Sequence, residues 1–186
     1  MPLPLPDSAV LWFTGLSGAG KTTTARLVAE RLSSQGAAVE VLDGDEIRSA
    51  FPGLGFSRHD RDVQVARVGE RAADLERRGV IAVVALVSPF QQARAAVRRR
   101  CRRFVEIYVS TPLAECEHRD PKGLYRRARA GQLMNFTGVS DPYEAPIAPE
   151  LTIDTTSISA EMAADRVIRY LTTMAEDDGA RPAAGC

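Results

Sequence analysis

Eight residues near the start of the chain, Gly15-Leu16-Ser17-Gly18-Ala19-Gly20-Lys21-Thr22, limit what it can fold into more than any other feature. The spacing G-x-x-x-x-G-K-[ST] makes a loop whose glycines let backbone N–H groups close around phosphate oxygens. Such a loop needs a strand to anchor its first residue and a helix whose positive end faces the anion. The flanks predict both. Residues 10–14 are a short apolar run that reads as a buried strand, and residues 22–35 carry apolar side chains at helical spacing before a stop at Gly36. In this setting Lys21 can reach the β- and γ-phosphates of a nucleotide, and the Thr22 hydroxyl, with Thr23 behind it, can approach the magnesium ion that accompanies them.

The rest of the chain alternates strand and helix signals. Strands are predicted at 39–42, 80–87, 104–109 and 151–155, and helices at 61–78, 91–102, 112–119 and 160–174. Residues 80–87 (VIAVVALV) are apolar at every position, as a parallel strand covered on both faces must be. The pattern predicts a P-loop nucleoside triphosphate hydrolase-like α/β fold, a three-layer architecture with a parallel five-stranded sheet flanked by helices. Residues 1–9 read as an N-terminal arm, 10–175 as one domain, 119–149 as a lid rich in Gly, Pro, Arg and Lys, and 176–186 as a disordered tail.

Charge and cysteine content narrow the setting. The 186 residues hold 24 Lys plus Arg and 24 Asp plus Glu, so no global field points to nucleic acid or membrane, and any electrostatic recognition must be local. Cys101, Cys116 and Cys186 are an odd, scattered set that builds neither a disulfide framework nor a zinc site. A reducing cytoplasm is the simplest expectation, with no signal peptide and no apolar run of transmembrane length.

In a parallel sheet ligands bind beyond the carboxyl ends of the strands, and the informative residues fall there. Asp43 and Asp45 follow the second strand and suit a group that deprotonates an attacking hydroxyl or helps hold a metal. The bland alternative is that Asp45 caps the helix beginning near Glu46-Ile47-Arg48. Ser88 ends the most apolar strand, so its hydroxyl either faces the cleft or caps the helix after Pro89. Arg119 to Arg129 is strongly cationic and sits where mobile charge could close over a transferring phosphoryl group. Phe136 could stack on a base. The run Arg94, Arg98, Arg99, Arg100, Arg102 and Arg103 reads instead as a solvated helix face pointing away from the cleft.

Several stretches together resemble the adenylylsulfate kinase (APS kinase) family from about Val10 to Leu171. They are Gly55-Phe56-Ser57 with Asp60-Arg61, the segment Arg119 to Tyr125, Ala128-Arg129-Ala130-Gly131, Asn135 to Gly138, and Asp141-Pro142-Tyr143-Glu144-Ala145-Pro146. The resemblance implies transfer of the ATP γ-phosphate to the 3′-hydroxyl of adenosine 5′-phosphosulfate (APS), making PAPS, with Mg2+ bound through Thr22 and Asp43. It implies catalytic roles for Lys21 and Asp45, with Asp45 near the 3′-hydroxyl and Ser88 in place of the family's phosphoserine. It also implies ATP contacts from Gly15 to Thr23 and from Arg119 beside the ATP base. Substrate contacts would come from Asp43, Asp45, Arg48, Phe56, Arg61, Gln64, Lys122, Leu124 and Phe136, with the two phenylalanines around the substrate adenine. By analogy alone it suggests a homodimer.

Five positions depart from the family pattern: Glu46 and Gln64 stand for Asn, Ala66 and Gln91 for Arg, and Val63 for Glu. By the resemblance these positions lie on the substrate side, so losing two cations and gaining a carboxylate should weaken binding of a doubly anionic phosphosulfate about ten- to a hundredfold. A kinase of the same fold acting on a less anionic nucleotide or nucleoside is therefore a second expectation. A nucleotide-dependent regulator without catalysis is a third, opposed by intact Lys21, Thr22 and Asp45.

Overall fold

The structure is a computed structural model that describes residues 4–50, 53 and 55–180, with side chains up to Glu176. Five parallel strands form one sheet in the order β2-β3-β1-β4-β5: β1 (Ala9–Thr14), β2 (Val39–Asp43), β3 (Ile81–Ala85), β4 (Phe104–Val109) and β5 (Leu151–Ile153). Because β1 is central and covered on both sides, its residues are apolar without alternation. Ala9, Leu11 and Phe13 pack toward α1 (Lys21–Ser34) and α7 (Ala160–Ala180), while Val10 and Trp12 pack toward α3 (Arg58–Arg77) and α4 (Gln91–Arg98). The result is a three-layer α/β sandwich. None of the described helices is long and apolar enough to cross a membrane.

Helices α3 and α4 touch at Gly69, where a Cβ would overlap the Val97 side chain. The absence of a side chain is what lets these two helices approach so closely. Helix α3 begins at Arg58, three residues before the sequence signal. Ser57 and Asp60 form a reciprocal capping box that satisfies the first orphan N–H groups.

Several boundaries differ from expectation for local reasons. β3 stops at Ala85 although the apolar run continues to Val87. Leu86 still donates to the Phe13 carbonyl at 3.1 Å, but the chain then turns at Ser88 with a left-handed φ of 39°. The predicted helix 91–102 ends at Arg98. Inside the expected irregular lid, Leu124–Arg129 forms a short helix, α6, that buries Tyr125 and Ala128. The predicted disordered tail is corrected up to Ala180, which is still helical; residues 181–186 and 1–3 lie outside the described range.

The arginine run on α4 is also corrected. Arg94 is buried and bonded to Glu106 at 2.8 Å, and Arg98 pairs with Glu106 and Glu150. Only the downstream arginines approach the expected solvated character, and the buried Glu76 carboxylate accepts from the backbone N–H groups of Arg102 and Arg103.

Candidate active site

The phosphate loop lies between β1 and α1. Gly15 has φ 146°, and a Cβ there would overlap the Val109 carbonyl oxygen, so only glycine lets β1 and β4 pass so closely at the loop entrance. The loop carbonyls are held by side chains from within and outside the loop. Lys21 Nζ donates to the Leu16 carbonyl at 2.7 Å and Tyr125 Oη to the Ser17 carbonyl at 2.9 Å, while the hydroxyls of Thr111 and Thr155 donate to the Ala19 carbonyl at 3.0 and 2.9 Å. With its carbonyls drawn outward, the loop is shaped to offer amides to an anion. Burial pulls the Lys21 ammonium down to about 8, opposed by the field of Cys116 and of Asp45.

A single cleft of about 490 Å³ opens from this loop. Ser17, Gly18, Gly20, Lys21, Thr22 and Thr23 line it, whereas Gly15, Leu16 and Ala19 shape the loop from behind. The lining also includes Asp43, Asp45, Arg48, Phe56, Arg61, Gln64, Lys122, Leu124 and Phe136, so every predicted substrate residue shares the cleft with the phosphate loop. Arg119 does not line it. That side chain sits in a separate polar hollow, anchored to Thr155 at 2.7 and 3.0 Å and to Glu115 at 2.8 Å, on the outer side of the loop.

Asp43 and Asp45 divide two duties. Asp43 is buried and caps α2 (Gly44–Ser49), accepting from the N–H groups of Asp45 and Glu46, while its other oxygen accepts from the Thr22 hydroxyl at 2.9 Å. The capping alternative weighed for Asp45 therefore belongs to Asp43. Released from that task, Asp45 is 71% exposed and ion-pairs across the cleft with Lys122, whose side chain is 55% exposed.

The acceptor wall is a web of arginine contacts. Arg61 is buried and donates to the carbonyls of Phe56 at 3.1 Å and Asn135 at 2.6 Å, which joins α3 to the lid. Arg48 bonds Gln64 and the Gly55 carbonyl and lies 4.6 Å over the Phe56 ring, while Gln64 donates to the Gly44 carbonyl at 2.8 Å. Phe56 is 48% exposed with its ring open to the cleft, and Phe136 is packed edge-on against Tyr125.

Ser88 lines the cleft, as one of its two expected arrangements has it, but its hydroxyl is already engaged by the protein. Its hydroxyl is buried, accepts from the Trp12 indole at 3.0 Å and bonds Thr14 and the Leu86 carbonyl, because the left-handed turn swings the side chain toward β1. It does not cap α4. Phe90 holds the cap position, and the Glu144 carboxylate accepts the Gln91 N–H at 2.8 Å.

The five departures are not equivalent. Glu46 and Gln64 line the cleft, but Ala66 is exposed on α3, and neither Val63 nor Gln91 is part of the lining. Glu46 is paired with Arg26 at 2.8 Å. At positions 66 and 91 the side chains present therefore add nothing to the cleft lining. Among the lining residues that sequence reasoning did not single out, two carry polar groups of interest. Arg26 sits one turn beyond the phosphate loop, and Thr137 has a buried hydroxyl with no hydrogen-bond partner. Helical spacing from Thr22 would have flagged the first, and position beside Phe136 the second.

Comparison with known proteins agrees with this geometry. The family model described as adenylylsulphate kinase matches residues 7–154. An adenylyl-sulfate kinase from Picosynechococcus sp. is 50% identical over 165 residues, covering 88% of this chain and 93% of that protein. The solved structure of Mycobacterium tuberculosis APS kinase CysC, in complex with AMPPNP and APS, is 40% identical with a TM-score of 0.85, covering 89% of this chain and 98% of that one. The hexameric APS kinase from Thiobacillus denitrificans is 35% identical with a TM-score of 0.69, covering 90% of this chain and 29% of that one. With its phosphate loop, its paired Asp43 and Asp45 and its lid gathered in one cleft, the chain belongs to the adenylylsulphate kinase family.

Proposed function

We propose that this chain transfers the γ-phosphate of ATP to the 3′-hydroxyl of APS, making PAPS. The supporting observation is that one cleft joins a complete phosphate loop to the Asp45–Lys122 pair and to Phe56, Arg61 and Phe136. A γ-phosphate held by the loop and Lys21 lies between that loop and Asp45. The APS adenine stacks between Phe56 and Phe136, its 5′ end faces Arg61 and Arg48, and the Thr137 hydroxyl is a free hydrogen-bonding group beside it. Leu124 and Gln64 complete this acceptor surface, and Arg119 stands beside the ATP base outside the cleft.

Transfer is a direct in-line displacement. The 3′-oxygen forms a bond to the γ-phosphorus as the bond to the β–γ bridging oxygen breaks and ADP leaves. Asp45, freed from Lys122 when both substrates are bound, accepts the hydroxyl proton. Lys122 then turns to the transferring group, so that it and Lys21 flank the charge spread over the equatorial oxygens. Ser88, with its hydroxyl committed to Trp12 and Thr14, shapes the wall and carries no phosphate.

The residues present fit Mg2+, which keeps several waters and takes one or two protein oxygens beside substrate phosphates. Thr22 Oγ1 and Asp43 Oδ2 supply such a pair 2.9 Å apart, and no self-sufficient carboxylate or histidine cluster exists among the described residues. When bound there, the ion neutralises charge on the β- and γ-phosphates.

The test is ADP release with MgATP and a panel of APS, AMP and adenosine. APS is expected to be the preferred acceptor, with PAPS as product. Equal rates with AMP or adenosine would remove APS as the acceptor, and no acceptor-dependent ADP release would remove the kinase reading altogether.

A further inference from the structure

The strained turn behind the acceptor wall is held by parts of the chain that no catalytic role has used. Ser88 is a non-glycine residue at φ 39°, a conformation that persists only where the surroundings over-determine it. Here three consecutive carbonyls are each captured. Val87 accepts from the Thr14 hydroxyl at 2.7 Å, Ser88 from Arg94 Nη1 at 2.7 Å, and Pro89 from the Glu144 N–H at 2.8 Å. Arg94 is the hub. It is buried, its Nε binds Glu106 at 2.8 Å on β4, and its Nη2 donates to the Glu144 carbonyl at 2.7 Å. The neighbouring Tyr143 closes the ring by sharing a hydrogen bond with Thr14 at 2.9 Å. One planar fork thus ties β4, the turn and the 141–144 strap together, a geometry that a lysine ammonium cannot reproduce.

The turn is also in contact with the chemistry. Leu86 and Ala85 pack on Gly44 so closely that a Cβ there would overlap Leu86 and lie 3.3 Å from the Ala85 carbonyl oxygen. Gly44 sits between Asp43 and Asp45. A shift of the 85–89 wall therefore moves the start of α2, which presents Asp45, whereas the phosphate loop has further anchors of its own in Tyr125, Thr111 and Thr155.

We propose that Arg94, with the 141–144 strap it anchors, is a positioning residue for the acceptor half of the cleft. The inference rests on the APS-kinase reading for its kinetic test, but Trp12 supplies a readout that does not. Trp12 is the chain's single tryptophan and bonds Ser88 directly, so its emission reports the turn in the absence of any substrate.

The experiment compares wild type with Arg94→Lys and Tyr143→Phe, varying APS and ATP separately and recording Trp12 emission. Arg94→Lys is expected to raise the KM for APS about tenfold and Tyr143→Phe about threefold, with the KM for ATP within about twofold of wild type. Trp12 emission should change in the same order. A merely structural Arg94 would lower the melting temperature and leave the ratio of the two KM values unchanged; that result, or an equal rise in both KM values, overturns the proposal. If Arg94→Lys does not fold, Tyr143→Phe decides on the same criteria. If wild type fails to phosphorylate APS, the functional reading falls by itself, and unaltered Trp12 emission in the variants would then sink the clamp as well.

Discussion

The two halves of the cleft are built in opposite ways. The phosphate half is eight contiguous residues whose carbonyls are tied down by Lys21, Tyr125, Thr111 and Thr155, so its shape exists before any ligand arrives. The acceptor half draws on α2, α3, the 85–89 wall and the lid, and its charged groups lean on one another: Lys122 on Asp45, Arg48 on Gln64, Arg61 on the Asn135 carbonyl. One half is preorganised, which is what electrostatic stabilisation of a transferring group requires. The other exchanges internal pairs for substrate contacts, as a closing lid does. Rate should therefore be most sensitive to the first half and substrate choice to the second.

The strongest way to break that contrast is Lys21→Met. Turnover should fall about a thousandfold or more. Stability should move the other way. The folded-state pKa of Lys21, about 8, is depressed from 10.5, so between those values the unfolded chain binds more protons and stability rises with pH. Below pH 8 the buried charge costs up to about 3 kcal/mol, so the variant should be more stable at pH 7 and lose that advantage near pH 10.5. Urea unfolding at the two pH values checks this; a less stable variant at pH 7 would mean that the bond to Leu16 outweighs desolvation.

Asp45→Asn comes next. It keeps the shape and removes the proton acceptor, so kcat should drop about 10²- to 10⁴-fold while the ATP dissociation constant, read by calorimetry, barely changes. Phe56→Ala should raise the KM for APS about tenfold through lost stacking on one base, with ATP unaffected. A matching rise for ATP would erase the division between the halves. The smallest effect is at the Arg26–Glu46 pair. It is exposed, so Glu46→Asn should change stability by less than about 1 kcal/mol. Arg26→Ala should raise the KM for APS a few-fold by leaving the carboxylate uncovered, and salt should blunt the difference.

The same asymmetry governs what could be read without coordinates. The phosphate loop was legible because its chemistry is local: spacing, flanking strand and following helix all lie within 10–35. The five-stranded parallel sheet was legible because fully covered strands are apolar throughout. The acceptor half was reached only through resemblance, since Arg61 shares the cleft with Lys122 and Phe136, which lie sixty and more residues further along the chain. What stayed hidden was tertiary choice. Nothing local says that Asp43 rather than Asp45 caps α2, that Ser88 turns toward Trp12, or that Arg94 in a run of arginines is the buried one. Each is decided by a partner distant in sequence: Thr22, Thr14 and Glu106 respectively.

The close approach of α3 and α4 at Gly69 bears on how sequences of this fold can drift. Arg61 and Gln64 ride on one of those helices and Arg94 on the other, so their spacing is inherited from a contact in which one partner has no side chain. A change at Gly69 is not an independent step. It has to arrive together with a smaller residue at 97, or the wall and the acceptor arginines separate. Random mutagenesis should therefore mark Gly69 as intolerant, as if it belonged to the active site, although it touches no substrate.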